Sequence, residues 1–286
     1  MKRTFCAIAA IAGLLFATTL HAQEQTGGEP AKKKKKHTSI SISNKGIRME
    51  KTDSAKGSTV GKLATKEEEN RFTTSIAMVD LGINMIEDNT NYSDPAVQSY
   101  LNVPVGNRNT TLFDLKANKS VNVNIYPWMV KFAAVKTHGQ RIYISSGLGL
   151  QLYNFRYENN ISYTRSPAGV IMDTVSFTKN KLGLDYLNLP LMVTFKTRLF
   201  KDRWLVYGAG ITEGFRIASW TKQKSSQRGK VKIHDDFELA DFNTCLTAEF
   251  GIEGILRFYA SYQLTSLYEK GLDQHPFCFG FRFSGI

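Results

Sequence analysis

The sequence predicts an all-β protein: an eight-stranded antiparallel up-and-down transmembrane β-barrel with a disordered amino-terminal tail. Three observations predict it. Beyond about residue 72, apolar and polar side chains alternate with period two in eight segments, which puts them on opposite faces of strands. The links between the segments switch between long and short, as loops and turns do in outer-membrane barrels. One face is strongly apolar while the other is polar or charged, and after Ala22 no run approaches the roughly 18 apolar residues of a spanning helix.

Residues 1–22 form the first element, a signal peptide. Met1-Lys2-Arg3 precedes an apolar stretch from Phe5 to Leu20, and Leu20-His21-Ala22 supplies a small residue at the cleavage point. Cys6 lies inside the apolar stretch, so lipid attachment at the cleavage point is not expected.

Residues 23–71 read as a basic, mostly flexible periplasmic linker, too poor in large apolar residues to offset the entropy of ordering. Lys32 to Lys36 form an uninterrupted basic run near Pro30. Thr38 to Ser43 alternates, Asn44-Lys45-Gly46 supplies turn residues and Ile47-Arg48-Met49 continues, leaving a short hairpin open. The net charge of +12 sits partly in this tail. For an exported chain it points to outer-membrane lipid and anionic envelope polymers rather than nucleic acid. Envelope or secretion-system proteins are the other expected partners.

Residues 72–286 form the barrel. The segments run from Ser75 to Met85, from Val121 through Ile125 and beyond, from Arg141 to Tyr153, Leu184 to Thr197, Leu205 to Ser219, Asp241 to Gly251, Ile255 to Tyr268 and Phe277 to Phe283. A tilted strand needs about 9 to 11 residues to cross a bilayer, and the last segment reaches this only if Pro276 and Ser284 join it. Long links run from Glu87 to Leu112, Glu158 to Lys181 and Lys222 to Ala240, with short turns at residues 136–140, 199–203 and 252–254 and an intermediate link from Glu269 to His275. An even strand count with the tail in the periplasm returns the carboxyl terminus there.

The faces discriminate between a membrane barrel, apolar outside, and a soluble one, apolar inside. Val121, Val123, Ile125 and Met129 are assigned to the outer face of the second strand, opposite Asn122 and Asn124. In the last strand four phenylalanines oppose Cys278, Gly280 and Arg282. The polar face defines a candidate lumen network of Asp80, Asn122, Asn124, Lys196, Arg216, Asp241, Glu249, Arg257 and Arg282. Closure would bring Asp80 near Arg282 and Glu249 near Arg257, filling a narrow lumen. Glu213 breaks the pattern by falling on the apolar face. Cys245 and Cys278 are expected to face inward with a strand between them, and disulfide bonding is not favoured at that separation.

Catalytic and ligand constellations are sparse. No two of His37, His138, His234 and His275 have metal-ligand spacing, so no metal, cofactor or catalytic residue is assigned. His234-Asp235-Asp236 with Ser225-Ser226 is the one arrangement that could make a surface hydrolase, and a solvated loop is the plainer reading.

Gly147-Leu148-Gly149-Leu150, Asn154-Phe155-Arg156-Tyr157, Lys181-Leu182, Tyr186-Leu187-Asn188-Leu189-Pro190-Leu191, Tyr207-Gly208-Ala209-Gly210 and Tyr259 to Thr265 carry a resemblance. On these, the region from about Arg71 to Phe283 resembles the Bacteroidetes outer-membrane β-barrel family that includes PorT-like proteins. The resemblance implies an integral outer-membrane protein, an accessory part in type IX secretion and no active site. The expectation is therefore a non-enzymatic outer-membrane barrel with a plugged lumen, acting in envelope structure, assembly or secretion. A narrow transporter or small-ligand binder, and a soluble periplasmic binding module, remain open beside it.

Overall fold

The computed structural model of the protein describes residues 37–43, 46–52, 71–200 and 203–284. The expected signal peptide, the Lys32 to Lys36 run and most of the expected linker lie outside these residues. Within the linker, β1 (His37–Ser43) and β2 (Gly46–Thr52) pair as a two-stranded sheet, where the alternation left a hairpin open.

The main body contains β3 (Phe72–Asp88), the two-residue β4 (Leu101–Asn102), β5 (Val121–Lys136), β6 (Gln140–Arg156), β7 (Ile161–Arg165) and β8 (Ala168–Met172). It continues with β9 (Lys179–Phe200), β10 (Arg203–Ser225), β11 (Gly229–His234), β12 (Phe242–Ile252), β13 (Leu256–Gln263) and β14 (Gln274–Ser284). Eight of these, β3, β5, β6, β9, β10, β12, β13 and β14, pair antiparallel in chain order. β14 then returns to β3 with Arg282 opposite Asp80, which closes the ring and leaves no open edge in the wall.

Each of the eight segments read from the sequence lies in one wall strand, with differences at the ends. Pro276 and Ser284 do belong to β14, giving it 11 residues. The seventh strand stops at Gln263 rather than Tyr268, because beyond it Leu267 and Tyr268 bury themselves over the barrel mouth. β12 starts at Phe242, so Asp241 lies just before it.

Alternation also fails within the wall, in β10 where the register on β9 shifts between Arg216 and Ala218, and in β5 at the level of Pro127. Ile76 pairs with Trp128 and Met78 with Tyr126, so Ala77, in the left-handed region at φ 58°, lies opposite Pro127, which has no N–H to give the ladder. Against β6 the register of β5 shifts between Ile125 and Trp128, and an extra residue in a strand flips every later side chain to the other face. Met129 is therefore buried inside, not on the outer face assigned to it, and Trp128 points out.

Elsewhere the outer face is apolar as expected. Leu81, Leu148, Leu191, Ile211, Leu246 and Phe279 are all exposed on it. Inside, bulky and absent side chains interleave to fill the taper of a small barrel. A Cβ at Gly82 would overlap the Tyr259 hydroxyl, and one at Gly149 would overlap the Tyr126 ring.

The long links all lie at one end and are folded. α1 (Pro95–Tyr100) starts on Asp94, whose carboxylate accepts the Ala96 N–H at 2.7 Å, with Pro95 in its first turn. β7, β8 and β4 form a separate three-stranded sheet.

Candidate functional site

The candidate site is the barrel interior together with the cap that the long links build over it. The register of β14 on β3 sets Arg282 against Asp80, and both side chains are almost completely buried, at 3% and 0% exposure. Arg282 donates two bonds to Asp80, Nε to Oδ1 at 2.7 Å and Nη2 to Oδ2 at 2.8 Å. Its Nη1 reaches Glu249 at 3.1 Å, and Arg257 reaches the same Glu249 oxygen at 3.4 Å. Thr194 donates to the other Glu249 oxygen at 2.7 Å. Two carboxylates thus meet two guanidinium groups, so the cluster is charge-balanced, and bidentate geometry offsets the cost of taking these ions out of water.

Asn124 donates to Asp80 at 3.3 Å, and Tyr259 donates to Asn122 at 2.8 Å. The Arg282 guanidinium lies 5.9 Å and 6.0 Å from the ring centres of Tyr126 and Tyr259. Of the nine residues read as a lumen network, the structure brings these six into one cluster: Asp80, Asn122, Asn124, Glu249, Arg257 and Arg282.

The other three lie elsewhere. Lys196 pairs with Glu253, which sits in the β12–β13 turn at the short-turn end. Arg216 binds Asp236 and Asp241 and donates to the Leu239 and Ala240 carbonyls at the cap end. Asp241 itself is half exposed, because β12 begins only after it. Strict period two could not distinguish these heights along the strands.

Sequence reasoning missed Tyr126, Tyr259 and Lys131. The tyrosines carry apolar rings on a face read as polar. Lys131 shares the inward face with Met129 and Ala133, opposite Ser145, only because the irregularity at Ala77 and Pro127 reverses the phase. Glu213 stays on the outer face, where Thr244 donates to it at 2.9 Å. It lies two residues before the rim pair Phe215 and Phe242. Cys245 and Cys278 are buried free thiols on β12 and β14, with β13 between them.

Over the cap end the polarity changes. Tyr153, Phe155, Leu182 and Leu184 continue the inward face of β6 and β9 but are fully buried apolar groups. Tyr100, Ile161, Tyr163, Leu239 and Tyr268 from the four links close down on them as one core. The Tyr163 hydroxyl lies 2.7 Å from both the Tyr157 and Tyr268 hydroxyls, and Tyr100 donates to the Phe237 carbonyl at 2.9 Å. Burial pushes the Tyr163 phenol well above its ordinary value.

Ion pairs tie the rim of the cap. Arg228 binds Asp173 at 2.6 and 3.0 Å, and Arg165 binds Asp235 at 3.1 Å. Burial raises the Asp173 carboxyl, but hydrogen bonds from Arg228, the Val175 N–H and Ser162 outweigh it and hold the group below the usual carboxylate range.

The links are therefore not solvated loops, and the hydrolase arrangement does not assemble. His234 pairs with Trp220 at one end of the β10–β11 ladder and Ser225 with Gly229 at the other. Asp235 and Asp236 are spent on Arg165 and Arg216. Among the described residues no cluster of three His, Cys, Asp or Glu could hold a metal ion.

No protein-family model matches the chain, and no characterised protein matches it in sequence. Among solved structures it is similar to Ail, the attachment invasion locus protein of Yersinia pestis. The two share 9% identity at a TM-score of 0.27, over 73% of this chain and 98% of that one. A second structure of Ail, in complex with the heparin analogue sucrose octasulfate, gives 9% identity and a TM-score of 0.26 over the same shares.

Proposed function

We propose that the chain is a non-enzymatic integral outer-membrane barrel whose lumen is plugged and which acts in envelope structure, assembly or secretion through its cap. One observation carries this reading: a closed ring with an apolar outer face encloses a hydrogen-bonded, charge-balanced cluster that leaves Arg282 buried. A water-filled pore would hydrate these groups, whereas a soluble ligand-binding barrel would turn its apolar face inward. The motifs that resemble PorT-like barrels serve packing here, Gly149 by admitting Tyr126 and Tyr186 by entering the cap core. They favour an accessory role in secretion only through a partner that binds the cap.

A narrow transporter is the second reading. In its favour, the buried Asn188 amide and the Asn243 and Gln263 amide oxygens find no hydrogen-bond partner among the described residues. Planar-bilayer recording with the purified full chain separates the two. The plugged barrel gives no steady conductance; open channels of uniform size, abolished by bulkier residues at Asn188 and Asn243, would establish the transporter instead.

A further inference from the structure

β9, β10 and β11 extend beyond the barrel wall as a three-stranded sheet, and its outward face is a lattice of cations. Lys181, Lys222 and Lys232 lie side by side in one cross-strand row, with Arg156 of β6 opposite Lys181. Two residues further on, Lys179, Lys224 and Lys230 form the next row. Trp220 lies one row below, its ring held between the Lys181 and Lys232 ammonium groups at 4.5 and 4.4 Å. None of the six lysines is in an ion pair among the described residues.

Like charges directly opposite on paired strands destabilise a sheet. Here three strands present them in two successive rows, and the neighbouring Lys230 and Lys179 hold Lys222 below the usual lysine range. The inner face of the same extension is committed to the cap, where the Gln223 amide reaches Ile161 and Ser162. The lattice is thus fixed in place and outward-facing, and Asp185, beside Lys181 and Lys232, is the one carboxylate set against its six lysines among the described residues.

Its position indicates what compensates it. Up the outer face of β9 the apolar residues run from Leu199 to Leu187; then come Asp185, Gly183 under the Trp220 ring, Lys181 and Lys179. At the usual rise and tilt that apolar run spans about 28 Å, close to the roughly 25 Å lipid-facing band of outer-membrane barrels. Lys181 stands about 14 Å above its edge, higher than the phosphate of an ordinary phospholipid but within reach of phosphate on a saccharide headgroup. Lysine stems can also bend back toward the surface.

We propose that this lattice binds the phosphate-bearing saccharide headgroup of a glycolipid in the leaflet on the cap side. The assignment rests on the membrane-barrel reading, and it gives the barrel a lipid partner on one flank.

The test uses the full chain in nanodiscs of zwitterionic lipid doped with a glycolipid whose oligosaccharide headgroup bears two, one or no phosphates on sugars beyond those that carry the acyl chains. Lipid retained by the protein is measured by native mass spectrometry. Retention should fall with each phosphate removed. The variant K222Q/K224Q/K230Q should retain the bisphosphorylated lipid at least about tenfold more weakly, as expected for three lysines at an anionic surface. R108Q/K119Q/K270Q, which removes three cap cations outside the lattice, should change it less than about twofold. In detergent without glycolipid, K222Q/K224Q/K230Q should melt higher than the intact chain, because repulsion has been relieved.

Retention indifferent to phosphate, or equal losses in the two variants, overturns the lattice. So does displacement of the lipid from the intact chain by a soluble sulfated polysaccharide at matched charge. Carbonate-resistant incorporation is scored in parallel: a variant that incorporates but binds as wild type counts against the lattice alone, whereas wild type washed from the bilayer overturns the membrane reading with it.

Discussion

The wall of the barrel and the cap above it are built from the same strands with opposite sidedness. Along β9 the inward positions read Thr194, Met192, Pro190 and Asn188 in the wall, then Leu184 and Leu182 in the cap. The outward positions read Val193, Leu191 and Leu187, then Asp185 and Lys181. β6 makes the same exchange, Gln151 giving way to Tyr153 and Phe155 inside while Leu150 gives way to Asn154 and Arg156 outside. The wall is inside-out relative to a soluble protein and the cap is right-side-out. The hydrophobic effect orders both, but in the wall it acts against lipid and in the cap against water. The crossover at Leu187 and Asp185 thus marks where one solvent replaces the other.

That contrast is broken most severely at Arg282. Replacing it with Met leaves Asp80 buried without its cation, with an expected loss of about 3 to 5 kcal/mol. The gel-shift melting temperature of the folded barrel should drop sharply. Adding Asp80→Asn to the same chain, which keeps Glu249 paired with Arg257, should restore most of it.

A charge placed on the lipid side comes next. Leu191→Arg, near the middle of the apolar band, should cost up to about 4 kcal/mol of folding into vesicles, while Lys230→Leu in the cap extension should not impair it. Equal effects at the two positions would remove the distinction between the regions.

Leu184→Ala sharpens the comparison from the other side. Emptying a fully buried position in the cap core should cost about 3 kcal/mol. The loss should appear as protease sensitivity of the long links while the wall keeps its heat-modifiable migration.

The smallest effect is at the rim. The Asp173 carboxyl lies below its ordinary value near 4, so its pairing with Arg228 stabilises the cap above that pH and is lost as pH falls through the lowered folded value. Arg228 is half exposed, and Asp173→Asn should therefore cost under about 1 kcal/mol. Link proteolysis in the variant should lose its acid dependence below about pH 4.

The wall was legible because alternation, turn length and strand length are local signals that agree with one another. Even the pairing of Asp80 with Arg282 followed from closure of an even-stranded ring. The phase reversal at Ala77 and Pro127 was hidden because nothing in Ile76-Ala77-Met78 marks a bulge, and it moved Met129 and Lys131 to the inner face. The cap was hidden for another reason: Tyr100, Tyr163, Leu239 and Tyr268 are scattered over four links and make a core only in three dimensions. A signal was present in Tyr153-Asn154-Phe155-Arg156-Tyr157, where the inward face is aromatic although the rest of β6 carries glycine and glutamine there. Arg216 and Lys196 were placed on the correct face, but facing says nothing of height, and height separates them from the central cluster.

The inversion of sidedness is tested most directly by depth. A fluorophore is attached at Leu191→Cys or at Lys230→Cys in the full chain carrying Cys6→Ser in vesicles, where Cys245 and Cys278 are buried from labelling, and quenchers on the lipid acyl chains report proximity. Strong quenching at position 191 and almost none at position 230 is the predicted result. Absence of quenching at 191 in protein recovered with the vesicles would contradict the account.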